Sequence, residues 1–188
     1  MLQFNFHPFP TLETERLVLR PITQADVESI YFLRSDAAVM RYIDRAPASS
    51  REEALKFIGM INQGTASNSD ITWGISIKGN SDLIGYLGFW RMKPEHHRGE
   101  IGYALHPEWQ GKGIAGEAVK KILDFGFQSL GLHTVEANVN PANAASIKLL
   151  ERLGFVREAY FREDFLWNGQ FLDSAIYCLI SPTPANFH

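Results

Sequence analysis

Residues 101–126 read Ile101-Gly-Tyr-Ala-Leu-His-Pro-Glu-Trp-Gln-Gly-Lys-Gly-Ile-Ala-Gly-Glu-Ala-Val-Lys-Lys-Ile-Leu-Asp-Phe-Gly126. The apolar run Ile101 to Leu105 has strand length and stops just before a proline. A turn with Gly111 and Gly113 follows, and a helix is expected to start near Gly113. Ala115, Ala118, Val119, Ile122 and Phe125 recur at helical spacing and form one face. Glu117, Lys121, Asp124 and Gln128 form the other, with Glu117 and Lys121 spaced for an i,i+4 pair. A strand, a glycine turn and a helix start make an anion site. Several backbone N–H groups point one way, the helix dipole favours negative charge, and glycine admits a ligand close to the backbone.

Two phosphate motifs are excluded. No Gly-x-x-x-x-Gly-Lys-Ser/Thr occurs, so this is not a P-loop. Gly111-Lys112-Gly113 with Gly116 does spell Gly-x-Gly-x-x-Gly. A dinucleotide fold would set it in the first βαβ unit, with an acid roughly 20 residues on. Here Leu130-Gly131-Leu132 stands near that place. The whole chain narrows the classes further. Its 188 residues suit one domain, and 45% hydrophobic with 21% charged residues is ordinary for a globular protein. A net charge of −3 argues against a general nucleic-acid binder. A single cysteine, Cys178, allows no internal disulfide and fits a reducing compartment. No stretch reaches 18 apolar residues and no leader pattern opens the chain, so a cytoplasmic protein without membrane association is expected. The His96-His97 pair lacks further ligands at metal spacing, so no metal site is expected.

The order of elements follows from periodicity and punctuation. Residues 1–11 form an irregular arm whose phenylalanines pack on the body or on a partner subunit, which leaves a homodimer open. The remaining expectation is one domain over 12–181 and a tail over 182–188. Leu17 and Leu19 alternate in a first strand closed by Pro21. Thr23 caps a helix that buries Ile30 and Leu33, and a short helix follows near Asp36 to Tyr42. Ser49 or Ser50 caps a third helix, with Leu55, Ile58 and Ile61 inward. Ile71 to Ile77 and Leu83 to Arg91 read as a hairpin, and Glu100 to Leu105 as the next strand. Val135, Ala137 and Val139 give another. Asn140 and Pro141 are expected to open a helix that buries Ile147, Leu150 and Leu153 and ends at Gly154. Asn168-Gly169 between apolar runs marks a terminal hairpin. The result is a mixed α/β domain with helices on both faces of a largely antiparallel seven-stranded sheet.

Gln110-Gly111-Lys112-Gly113-Ile114-Ala115 resembles the Gln/Arg-x-x-Gly-x-Gly/Ala motif of the GCN5-related N-acetyltransferases. Leu12 to Pro21, Gly99-Glu100-Ile101-Gly102-Tyr103, Asn140-Pro141-x-Asn143-x-x-Ser146 and Leu153-Gly154-Phe155 resemble the branch that contains the ribosomal-protein N-terminal acetyltransferases. The resemblance spans about Leu12 to Leu179. It implies the acyl-CoA N-acyltransferase fold and acetyl-CoA as the acyl donor. It also implies that backbone groups of Tyr103, Ala104 and Leu105 pair with the pantetheine arm like an added strand. Gln110, Gly111, Lys112, Gly113, Ile114 and Ala115 would hold the pyrophosphate through N–H groups, and Asn143 would touch the cofactor.

The chain departs from the family at two places. Leu150 stands where many members carry a tyrosine acid, and Asn138 where some carry a glutamate base. Ser146 shares the face of Asn143 and Leu150, so it becomes the expected donor to the leaving thiolate and a second cofactor contact. Its other reading is a helix serine bonded back to the Ala142 carbonyl. Glu100, Glu163 and Asp164 are the candidate bases. The expected activity is direct acetyl transfer to a primary amine, a protein N-terminal α-amine first. The alternatives are a small amine (polyamine, amino acid or aminoglycoside) and an acyl-CoA-binding module without turnover.

Overall fold

A computed structural model describes residues 2–182. Its centre is a single eight-stranded sheet in the order β1-β2-β3-β4-β5-β6-β8-β7. The strands are β1 (Leu12–Glu13), β2 (Leu17–Arg20), β3 (Ile71–Ile77), β4 (Gly85–Lys93), β5 (Arg98–Leu105), β6 (Thr134–Val139), β7 (Val156–Trp167) and β8 (Gln170–Ile180). Every pairing is antiparallel except β5 with β6. The count is eight rather than seven because the chain doubles back after Glu13. Thr14 turns it, with its N–H donating to the Leu17 carbonyl and its hydroxyl accepting from the Leu17 N–H.

Alternation along the strands splits the core into two layers. Leu17, Leu19, Ile71, Trp73, Ile75, Leu87, Phe89 and Ile101 face one way. They meet helix α4 (Ile114–Gln128), helix α5 (Ala144–Arg152) and the N-terminal arm. Phe6 of the arm is fully buried and Phe9 lies edge-on to Trp73, so the arm packs on the body of its own chain. Tyr86 and Ala104 face the other way, with Trp90 packed beside them, under α1 (Val27–Ser35), α2 (Ala37–Met40) and α3 (Arg51–Ala66). Coverage on both sides explains why β3 is buried at six consecutive positions although its sequence alternates.

Local chemistry sets most boundaries. Thr23 and Asp26 exchange bonds at the start of the first helical segment, and Asp26 also takes Arg20 at 2.7 Å. Ser50 caps α3, whose buried side consists of Ala54, Phe57, Ile58 and Ile61. Leu55 points outward and is 40% exposed, because the inward stripe runs through Ala54 and then Phe57 and Ile58. A left-handed Asn168-Gly169 pair (φ 47° and 75°) turns β7 into β8, as a two-residue hairpin requires.

Helix α5 begins later than its sequence suggests. Asn140 and Pro141 lie in a turn, where the Asn140 side chain accepts from the Ala142 N–H. Asn143 is the cap, accepting from the Ser146 N–H at 3.1 Å. Two asparagines three residues apart each suit a turn or a cap, and the fold uses the first for the turn. The far end closes as expected: Phe155 N–H reaches the Leu150 carbonyl and Gly154 N–H that of Glu151.

Candidate active site

Strands β5 and β6 pair only over Arg98↔Thr134, Gly99↔Val135 and Glu100↔Glu136. Beyond them β5 stays on β4 as far as Gly85↔Leu105, while β6 stays on β8 as far as Val139↔Ala175. The strands therefore part, and residues 101–105 of β5 present an unpaired edge to the gap. An extended ligand with amide groups can bond to such an edge as another strand would. Leu105 offers less of it than Tyr103 and Ala104, since its carbonyl already accepts the Gln110 side-chain amide at 3.0 Å.

The glycine turn closes one end of the gap. Gly111 and Gly113 are left-handed, with φ 72° and 78°. Gly113 is the N-cap of α4 and brings no side chain to the cap, and the first helical bond of the turn runs from the Glu117 N–H to the Gly113 carbonyl. Among the described residues, the N–H groups of 111–116 donate no hydrogen bond of ordinary geometry. Nothing lies within 4 Å of where a side chain would grow from Gly111 or Gly116. This open nest at the start of a 15-residue helix suits a pyrophosphate. Gln110 does not contribute to it. Its N–H is held by the Pro107 carbonyl and its side chain by Leu105, so it braces the turn from behind.

Other parts of the turn are held from the side. Arg16 donates to the Lys112 carbonyl and to Glu117, which also accepts from Thr14. Glu117 is thus turned to the segment between β1 and β2 rather than to Lys121. Burial alone would raise the Glu117 carboxyl, but Thr14 and Arg16 outweigh it and hold the group below the usual range. The Lys112 ammonium lies 5.1 Å over the Trp109 ring, exposed and able to swing toward an anion.

The middle of the gap holds two hydroxyls. Tyr103 Oη and Ser146 Oγ are 2.6 Å apart, joining β5 to α5. The Ser146 hydroxyl is turned to Tyr103, and its backbone N–H to Asn143. Burial pushes the Tyr103 phenol up, only partly opposed by the Ser146 bond, so it stays protonated near neutral pH. Two hydroxyls carry two hydrogens, and their mutual bond uses one. The second remains for a third partner. Sequence reading assigned Tyr103 a backbone role only. The available signal was its parity with Ile101 and Leu105, which turns it toward α5.

The candidate acids are scattered. Glu100 stands an odd number of residues from Tyr103 on the same strand, so it points to the opposite face. There it pairs with Arg91 at 3.0 Å. Glu163 is exposed in an irregular stretch of β7 with φ 53°, its N–H held by Asp173. Asp164 accepts from the buried Ser174 hydroxyl. Asp44, which sequence reading passed over, lies half-buried in the loop between α2 and α3 and bonds Asn140 at the end of β6. Burial raises its carboxyl above the usual range, partly opposed by Asn140. Among the described residues no cation pairs with it. Cys178 is buried on β8 near Glu158, and burial first, then that carboxylate, pushes its thiol up to about 11, far from a nucleophile's range.

The chain has known counterparts. Residues 16–156 match the family described as Acetyltransferase (GNAT) domain. An uncharacterised N-acetyltransferase of Bacillus subtilis, YoaA, is 37% identical over 93% of this chain and 98% of its own. The [Ribosomal protein uS5]-alanine N-acetyltransferase of Escherichia coli is 28% identical over 93% of both chains. The structure of a Vibrio cholerae spermidine N-acetyltransferase in complex with CoA and spermine superposes with a TM-score of 0.79 at 26% identity, covering 89% of this chain and 96% of that one. The chain belongs to the GNAT family as an acetyl-CoA-dependent N-acetyltransferase.

Proposed function

We propose that this enzyme acetylates the α-amine of a protein N-terminus by direct transfer. Acetyl-CoA supplies the activated acetyl thioester. The N–H groups of residues 111–116 would hold its pyrophosphate, with Lys112 beside them. The free edge at Tyr103 and Ala104 would align the pantetheine arm, and Asn143 at the head of α5 would border it. The Tyr103–Ser146 pair would give its spare hydrogen to the departing sulfur. A thiol with a pKa near 8.5 is a fair leaving group and needs only that bond.

The observation that carries the choice of acceptor is the state of the carboxylates. Glu100 is neutralised by Arg91 and faces away from Tyr103, and Glu163 is in the exposed hairpin. Asp44, bonded to Asn140 and without a cation partner among the described residues, lies beside the gap, and a carboxylate is a weak base. A lysine, pKa about 10.4, needs a strong base to lose its proton, whereas an α-amine at about 7.7–8.0 is neutral at roughly the 10% level at pH 7. The likeness to the uS5-alanine enzyme supports the same choice. The likeness to the spermidine enzyme supports a polyamine as the second reading. Acetyl-CoA turnover against peptides with free and blocked N-termini, with and without lysine, and against spermidine tests this. Acetylation of free N-termini is expected. Exclusive acetylation of lysine or of spermidine overturns the assignment.

A further inference from the structure

One cleft on this molecule is lined by more cations than carboxylates. It measures about 600 Å³ and lies between α1, α3 and the 41–50 loop. Phe57, Met60 and Pro47 give it an apolar floor, and Arg34, Arg45 and Lys56 line it. Its only acidic lining residue is Glu53, whose carboxylate accepts the Ser49 N–H at 2.7 Å. Among the described residues none of the three cations has an ion-pair partner. Among the lining residues three cations stand against one carboxylate, and the fields of Lys56 and Arg34 reach Glu53, and that of Lys56 also Glu52, on the same helix.

The cleft lies next to the reacting gap. Arg34 stacks over Phe57 at 4.3 Å and hydrogen-bonds the buried Tyr86 hydroxyl. Tyr86 pairs with Ala104, in the unpaired stretch of β5, and Ala104 packs in the same cluster as Phe57 and Tyr86. The cleft therefore sits over the face of β5 opposite to Tyr103 and Ser146. Asp44, in the same loop as Arg45, reaches across to Asn140 at the end of β6. An acceptor lying in the cleft meets a carboxylate at the gap and cations further out.

We infer that this cleft selects acceptors whose reacting amine is followed, within a few residues, by an acidic side chain. The inference rests on the proposed α-amine reaction and sharpens it to a substrate class. Asp44 faces the ammonium before transfer, and Arg45 and Lys56 face the carboxylate beyond it. A polycation such as spermidine places its second and third charges against these same cations. Complementary charge of this kind raises productive encounter and discriminates against the wrong sign.

The test measures kcat/KM of the full chain at saturating acetyl-CoA for three peptides that share the first residue and differ at positions two to five. One carries Glu, one Gln and one Lys; spermidine is the fourth acceptor. The Glu peptide is expected to exceed the Gln peptide by about fivefold, the equivalent of one good surface ion pair, with the Lys peptide and spermidine lower still. The gap should narrow with added salt. The double variant Arg45→Glu, Lys56→Glu is expected to invert the order. Calorimetry with CoA and a thermal melt confirm that this variant is folded and loaded; if it fails to fold, the salt series on the wild type decides. Turnover of all three peptides at equal rates, or a Glu preference that survives charge reversal or high salt, overturns the selectivity and leaves the α-amine reaction standing. Turnover of spermidine alone overturns both.

Discussion

The two sides of the gap between β5 and β6 are built from different materials. The proposed donor side is mostly backbone: six uncapped N–H groups at residues 111–116, a free strand edge, and one hydroxyl pair. The proposed acceptor side consists of side chains: Asp44, Arg34, Arg45 and Lys56, brought from two helices and a loop. Backbone groups would recognise what every acetyl-CoA has in common, a pyrophosphate and an amide chain. Side chains on a loop would recognise what differs between acceptors. A family can therefore keep one half of the site and vary the other.

The largest expected effect breaks the donor side. Gly113→Asp puts a carboxylate at the phosphate nest and forces a non-glycine residue to φ 78°. CoA affinity is expected to fall by about two orders of magnitude or more, from repulsion and the cost of the left-handed conformation. Calorimetry on a variant shown folded by circular dichroism reads this, and unchanged binding would move the phosphate site elsewhere.

Next come the hydroxyls. Ser146→Ala and Tyr103→Phe should each lower kcat about 10- to 100-fold with CoA affinity nearly unchanged. Because the two act through one spare hydrogen, the double variant should be little worse than either single one. Losses that multiply would separate them, and a silent Tyr103→Phe would leave Ser146 or water as the donor.

On the acceptor side, Asp44→Asn should lower kcat/KM about tenfold at pH 7, the deficit shrinking near pH 9, where the free amine is already neutral. Its stability effect runs the other way. Burial raises the folded carboxyl, so ionised Asp44 burdens the fold above its folded pKa and not below the ordinary carboxylate range. The variant's melting temperature should therefore match or exceed the wild type at pH 7 and converge with it in acid. A less stable variant at pH 7 would make Asp44 a structural residue.

The smallest effect concerns the frame beneath the acceptor side. Burial would raise the Asp26 carboxyl, but the Arg20 and Thr23 bonds outweigh it and hold the group low. A depressed folded pKa gives stability that is complete above the unfolded value, about 3.9, and is lost as pH falls through the folded one. Asp26→Asn should cost about 1 kcal/mol at pH 7 by chemical denaturation and almost nothing at the acid end. Hydrogen exchange should show the loss in α1 before α4. An equal response in both helices would mean that the two sides unfold as one unit.

The sequence by itself determined the strand, the glycine turn and the start of the helix that follows it. A strand run, two glycines and an amphipathic helix within 26 residues are local, and local spacing fixes which N–H groups are left unpaired. The Schellman turn at Gly154, a serine cap at Ser49 or Ser50 and the Asn168-Gly169 hairpin were legible for the same reason. Where two local signals competed, as at Asn140 and Asn143, spacing alone did not choose. Tertiary structure decided everything that depends on which chains lie side by side. It parted β5 from β6 beyond Glu100, set Tyr103 against Ser146 from 43 positions away, and paired Glu100 with Arg91 on the other face. It also gathered Arg34, Arg45 and Lys56 around one cleft. No periodicity records such meetings, because a side chain's partner across a sheet is set by register and packing, not by its neighbours in sequence.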